Sequence, residues 1–410
     1  MTSLHLFLPC ASGVEPLLQT EVKRITGIEA EIGRSGVRLK ASWREVMSLN
    51  LHSRLAQRVL VQLAHQSYQT EQDVYSCVHA LPWEQWFAVR QTFKVEVTAR
   101  QCPLKSLNFV TLRIKDGIAD RFRERQGERP SIDTRWPKVR VFAHLDPQTI
   151  TVYLDTSGES LFKRGWREDK GDAPLKETLA AAMIAASGWD PQGEAPLYDP
   201  CCGSGTIAIE AAQMAINLAP GLQRRFGFEN LLPHDARLWQ ALRSEAQAAI
   251  QTPKTIKVFA SDVSHRMADF AQRNAQRAGV TAALQIRAGD ALQRMPPTER
   301  SGVLLLNPPY GERIQAAGVA GRSYRDQAVV DSSDDSAASS QFFEKLAAHW
   351  KSHFGGWTAW MLSPDPKLPG QMRLRETRRV PMWNGPIECR LWRFDISARV
   401  PRPASESSES

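Results

Sequence analysis

The stretch Leu197-Tyr198-Asp199-Pro200-Cys201-Cys202-Gly203-Ser204-Gly205-Thr206 decides how this chain is read. Two apolar residues run into an acid, a Gly-x-Gly turn follows, and Ile207-Ala208-Ile209-Glu210-Ala211-Ala212 continues as a helix. The order is strand, glycine loop, helix N-terminus. Gly203 and Gly205 permit a sharp turn and a close approach of a ligand to the backbone. Amides of the first helical turn then face whatever occupies the loop.

Two ligands fit such a loop, and a bare corner without a ligand remains open on this stretch alone. Gly203-Ser204-Gly205-Thr206-Ile207-Ala208 matches the G-x-G-x-x-A form of the dinucleotide fingerprint. That fingerprint wants an acid about 20 residues on, whereas the next strand ends much later, at Asp262. The other ligand is S-adenosylmethionine. Asp199 can accept from its ammonium group while the helix N-terminus faces its carboxylate. An acid ahead of the glycines suits this second ligand better.

A second stretch narrows the choice. Gly302-Val303-Leu304-Leu305-Leu306 is a buried-type strand that stops at Asn307-Pro308-Pro309-Tyr310, because proline cannot continue a central strand. Ligands of open α/β sheets bind beyond the carboxyl ends of the strands, so Asn307 is expected at the same edge as Asp199. The pair of motifs resembles the class I methyltransferases that act on exocyclic amino groups of nucleobases.

Composition bounds the rest. A chain of 410 residues suggests two or three domains. Hydrophobic content of 42% fills proper cores, and a mean hydropathy of −0.37 describes a soluble protein. No apolar run reaches membrane-spanning length, and the N-terminus is not read as a signal peptide. The six cysteines show no C-x-x-C and no zinc spacing, so no metal is expected. Reduced thiols in a cytoplasm are the simplest account. Residues 1–170 hold 25 Lys/Arg against 19 Asp/Glu, which places +6 of the net +8 in the front. That balance fits a polyanionic partner such as RNA.

The front alternates short strands and helices, an α+β pattern. Helices are expected over 12–25, 43–51 and 108–125, the last with Phe109, Leu112, Ile118 and Phe122 inward. Strands are expected over 36–41, 58–63 and 91–100, with a hairpin of 139–145 and 149–155. The segment 155–167, ending Lys163-Arg164-Gly165-Trp166-Arg167, resembles the close of a THUMP domain, a type that binds RNA together with the ferredoxin-like subdomain before it. Arg121, Arg123, Arg125 and Arg129 are candidates for RNA contact or for a solvated helix face.

In the second half, a helix with Pro174 in its first turn is expected before the glycine loop, and another over 234–250. Strands end near Asp262 and Asp290. Asp262 can chelate the ribose hydroxyls of the cofactor, and Asp290 can accept from the adenine amine. Either acid alone is as readily a helix cap, but three acids after three successive strands form a pattern. Residues 315–340 read as a mobile loop, followed by a helix over 342–354. Asn384-Gly385 signals a hairpin.

The chain up to about Ile396 resembles the THUMP-containing class I RNA methyltransferases, in particular the methyltransferase half of the fused bacterial guanine-N2 methyltransferases of large-subunit ribosomal RNA. The matching runs are Lys176-Glu177-Thr178-Leu179-Ala180, the Asp199 and Asn307 motifs, and Asn384-Gly385-Pro386. The resemblance implies a ferredoxin-like subdomain at 1–60, a THUMP domain at 61–160, a linker at 161–172, a Rossmann-like α/β methyltransferase domain at 173–396 and a disordered tail at 397–410. It implies a cofactor site of Thr178, Asp199, Pro200, Cys202, Gly203, Gly205, Thr206, Asp262, Asp290 and Ala291, and a catalytic group of Asn307, Pro308, Pro309 and Tyr310. S-adenosylmethionine is the implied cofactor and ribosomal RNA the implied partner, for a monomer with one activity. A transfer-RNA guanine enzyme, an adenine-N6 enzyme, a non-catalytic RNA-binding protein and a nicotinamide-dependent reductase are the alternatives.

Overall fold

The computed structural model describes residues 3–171, 174–308 and 332–397. The chain divides into two compact units, Met1–Gly165 with Asn217–Gln251, and Trp166–Ile216 with Thr252–Ser410.

The first unit carries β1 (Leu4–Pro9), β2 (Glu31–Gly33), β3 (Gly36–Ala41), β4 (Leu60–Ser67), β5 (Phe93–Ala99), β6 (Val139–Leu145) and β7 (Thr149–Asp155) in one sheet of order β2-β3-β1-β4-β7-β6-β5. Its helices are α1 (Glu15–Thr26), α2 (Trp43–His52), α3 (Glu71–His79) and α4 (Leu107–Gln126). Capping boxes start two of them, Ser42 with Glu45 at α2 and Thr70 with Asp73 at α3. Periodicity did not show β1, β2 or α3. The inward face of α4 also differs from expectation. Val110, Ile114, Ile118 and Phe122 are buried at helical spacing, while Phe109 and Leu112 are 50% and 49% exposed.

The second unit is a doubly wound α/β layer. Helix α5 (Glu177–Ser187) begins after Pro174, with Lys176 as its N-cap, so the proline is not in its first turn. Then come β8 (Leu197–Asp199) and α6 (Thr206–Ala215). Helix α7 (Ala236–Ala248) follows in sequence but packs against α2 and belongs to the first unit. The second unit resumes with β9 (Val258–Asp262), α8 (His265–Arg277), β10 (Leu284–Ala288), β11 (Val303–Leu306), α9 (Ser332–His353), β12 (Thr358–Ser363), α10 (Leu368–Met372), β13 (Glu376–Asn384) and β14 (Ile387–Asp395). Helix α9 starts at Ser332, so the expected loop 315–340 is helical in its last part, and 315–331 lie outside the described residues.

The sheet order is β10-β9-β8-β11-β12-β14-β13. The first five strands run parallel, and β14 and β13 close the edge antiparallel. Strand β11 shows why central parallel strands read as unbroken apolar runs. Leu304 and Leu306 join a core with Phe343, Leu346 and Trp350 of α9, while α5 packs on β11 as well. Alternate side chains of a strand point to opposite faces, so both faces of β11 are covered.

Gly205, the N-cap of α6, sets how closely α6 meets α8. Its φ is +89°, and a Cβ there would lie 3.0 Å from Ala271 Cβ and 3.2 Å from Ile209 Cδ1. Both the backbone region and the space demand glycine. Gly205→Ala is expected to lower unfolding stability by about 1–3 kcal/mol, measured by denaturant titration; a change below about 0.5 kcal/mol, ordinary for a neutral surface substitution, would overturn this account.

Candidate active site

Strand β8 is three residues long and sits between β9 and β11, where the direction of winding reverses. Leu197 pairs with Val303 and Tyr198 with Leu304 on one side, and Asp199 pairs with Ala260 on the other. All three strands are parallel, so their carboxyl ends share one rim. Open α/β sheets hold ligands at such a point. A cavity of about 520 Å³ opens there, and its lining includes Asp199, Pro200, Cys202, Gly203, Thr206, Asp262, Asp290, Ala291, Asn307 and Pro308.

The sequence therefore anticipated ten of the lining residues. Two others fall elsewhere. Thr178 is buried on α5 and does not line the cavity. Gly205 does not line it either, because its role is the α6–α8 packing just described. Gly203 does face the cavity, with φ +52° and no atom within 4 Å of where a Cβ would stand. Pro309 and Tyr310 lie outside the described residues.

The three acids differ in their surroundings. Asp199 is buried, and its Oδ1 accepts from the Cys201 amide at 3.1 Å. Burial pushes its carboxyl well above the usual carboxylate range, opposed by that bond and reinforced by the charge of Asp262. Asp262 accepts from the Gly203 amide at 2.8 Å and from the Ser264 amide at 2.9 Å. The first bond ties the glycine loop to the end of β9. Burial raises the Asp262 carboxyl too, against the pull of both amides. Asp290 Oδ1 accepts from the Leu292 amide at 2.9 Å, two residues beyond the end of β10. Burial holds the thiols of Cys201 and Cys202 well above their ordinary range, with Asp199 adding to the effect.

Sequence reasoning missed the apolar wall and the far side. Ile207 and Met267 line the cavity, the latter one turn into α8. Asn384, Ile387 and Cys389 reach it from the β13–β14 hairpin. The Asn384-Gly385 turn was legible as a hairpin, but nothing local says which cavity a hairpin borders. Buried acceptors, a glycine turn at a helix N-terminus and an apolar wall suit a ligand with a cationic end, an anionic group and a flat apolar part. Asn307 and Pro308, just past the end of β11, line the same cavity. Among the described residues, no cluster of histidine, cysteine or acid side chains could hold a metal ion, and no helix is long and apolar enough to cross a membrane.

Comparison with known proteins agrees with this geometry. The model of the RlmL ferredoxin-like domain matches residues 5–60, that of the THUMP domain 68–155, and that of the RMKL-like methyltransferase domain 164–328. A Ribosomal RNA large subunit methyltransferase K/L from Psychromonas ingrahamii is 38% identical over 98% of this chain, which covers 51% of that protein. The chain spans about half the length of the curated relatives it matches. Among solved structures, a methyltransferase complexed with SAH superposes with a TM-score of 0.84 at 25% identity, over 98% of this chain and 100% of the other. A predicted N6-adenine-specific DNA methylase from Listeria monocytogenes gives 0.82 at 26% identity, over 96% of each chain. The chain thus carries, in sequence order, an RlmL-type ferredoxin-like domain, a THUMP domain and an RMKL-like methyltransferase domain with the α/β methyltransferase fold.

Proposed function

We propose that the cavity binds S-adenosylmethionine and that the chain transfers its methyl group to the exocyclic N2 of a guanine in large-subunit ribosomal RNA. One observation carries this reading. The Asp199 loop and the Asn307-Pro308 turn follow neighbouring parallel strands and line one cavity. In this reading Asp199 accepts from the cofactor's ammonium group, Asp262 from its ribose hydroxyls and Asp290 from the adenine amine, while Ile207 and Met267 cover the apolar parts. The relatives named as ribosomal RNA methyltransferases and the front domains support RNA as the substrate.

The guanine amine is a weak nucleophile because its lone pair is shared with the ring. The Asn307 side-chain carbonyl and the Pro308 backbone carbonyl accept from its two N–H bonds and aim the lone pair at the sulfonium methyl. The new N–C bond forms as the C–S bond breaks, S-adenosylhomocysteine leaves, and the extra amine proton passes to solvent. Positioning supplies most of the acceleration.

The reading is tested by labelled-methyl transfer into RNA lacking the modification, followed by nucleoside analysis. N2-methylguanosine from ribosomal RNA is expected. Label in N6-methyladenosine or in transfer RNA would replace the substrate, and no label at all would remove the activity. Asn307→Ala is expected to lower kcat by about 10²-fold or more, on the scale of losing one preorganised polar group, with little change in cofactor affinity; an unchanged rate removes the assigned role.

The raised carboxyl of Asp199 gives a signature of its own. Its protonated form stabilises the empty fold, a contribution fully present below the ordinary value of 3.8 and lost as pH rises through the raised value. A bound ammonium group favours the ionised carboxylate, so cofactor binding must expel a proton. Calorimetry with S-adenosylhomocysteine in buffers of different ionisation enthalpy should show proton release that grows as pH falls toward that raised value. The release should vanish in Asp199→Asn. Identical buffer dependence in both proteins would argue that another group meets the ammonium.

A further inference from the structure

Arg167 is not among the cavity-lining residues, yet its guanidinium reaches four groups around the glycine loop. Its Nε donates to Glu177 Oε1 at 2.7 Å, its Nη1 to Ser204 Oγ at 2.9 Å, and its Nη2 to Thr206 Oγ1 at 2.7 Å and to the Leu175 carbonyl at 3.3 Å. Glu177, Ser204 and Thr206 are all more than nine-tenths buried, and Ser204 and Thr206 line the cavity.

A guanidinium donates and never accepts. Each of the two hydroxyls must therefore take Arg167 as its donor, which leaves the hydroxyl's own proton for another acceptor. Arg167 is also a cation beside the N-terminus of α6, where the helix dipole favours an anion. Glu177 offsets part of that cost. An acidic cap at the same place would serve stability better, so the cation is more useful to an anionic ligand than to the helix.

The segment bearing Arg167 is itself anchored. Asp169 pairs with Arg273 and Arg277 of α8 at 2.8 and 2.7 Å. Buried Asn274 donates to the Asp169 carbonyl at 2.8 Å and to the Ser204 carbonyl at 3.1 Å. Ser204 is thus held by its hydroxyl from one side and by its carbonyl from the other.

We propose that Arg167 is the positioning residue of the glycine loop, turning the hydroxyl protons of Ser204 and Thr206 toward the carboxylate of S-adenosylmethionine. The inference rests on the cofactor reading above and adds the means by which the amino-acid end is gripped. Two ligands separate positioning from mere support. S-adenosylhomocysteine carries the carboxylate, whereas 5′-methylthioadenosine keeps the nucleoside and lacks the amino-acid end.

Arg167→Lys retains the charge and loses the planar fork. It is expected to weaken S-adenosylhomocysteine, and to raise KM for S-adenosylmethionine, by about tenfold or more, the scale of a charge-assisted hydrogen bond. The affinity for 5′-methylthioadenosine, the KM for RNA and kcat at saturating cofactor should stay within about threefold. Thr206→Val should reproduce the loss, and combining it with Arg167→Met should cost less than the sum of the two single losses, as expected of groups acting together. Equal losses for the two ligands, full additivity, or unchanged S-adenosylhomocysteine affinity would overturn the role of Arg167 while leaving the cofactor assignment intact. A parent protein that binds neither ligand would overturn both.

Discussion

The parallel pairing of β8 with β11 is the constraint on which the proposed chemistry depends. Hydrogen bonds between Leu197–Tyr198 and Val303–Leu304 join segments about a hundred residues apart in sequence. They bring the end of one strand, with its acid, beside the end of the other, with its amide. The pairing is short, so it is held by what lies on the two faces. Leu304 and Leu306 are sealed under Trp350 and Phe343, and α5 covers the opposite side. Hydrophobic burial on both faces of β11 therefore fixes the rim at which the proposed reaction is placed.

At this rim the electrostatics centre on two neighbouring acids. Asp199 is buried and Asp262 half-buried, desolvation holds both carboxyls above their ordinary range, and the charge of Asp262 adds to the shift at Asp199. Their direct partners are backbone amides of the loop and of the α8 entry. In the proposed binding mode a ligand brings a cation to Asp199 and hydroxyls to Asp262. On the other side of the glycine loop the sign is reversed. Arg167 stands at the start of α6, compensated by Glu177 and spread over two hydroxyls. In the proposed binding mode a zwitterionic amino-acid end meets an acceptor on one side and donors on the other.

Much of this was legible because it is local. Strand, acid, glycine turn and helix follow one another within residues 197–215, and the apolar run at 303–306 can hardly be anything but a buried strand. The β6–β7 hairpin was readable to the residue, since Asp146-Pro147-Gln148 supplies its turn. What failed was non-local. Phe109 and Leu112 carry the right side chains for a core but stand on the outer face of α4, and only the packing of Val110 and Ile114 reveals this. Strand β1 was overlooked because its pairing partners, β3 and β4, lie elsewhere in sequence. Gly205 resembled a ligand-contacting glycine, yet its neighbour is Ala271, some sixty-odd residues on. Arg167 went unread because four bonds converging on one guanidinium leave no periodic trace.

The placement of Asn217–Gln251 bears on how the polypeptide is made. This segment lies between α6 and β9 in sequence, but its helix α7 rests on α2 in the first unit. Neither unit is one continuous run of chain. During vectorial synthesis the first unit lacks its last helix until residue 251 has emerged, by which time β8 and α6 of the second are already outside the ribosome while β9 is still inside the exit tunnel. The two halves must mature in an interleaved sequence rather than one after the other, and a cut at the apparent boundary near Gly165 would leave each with a missing or surplus piece.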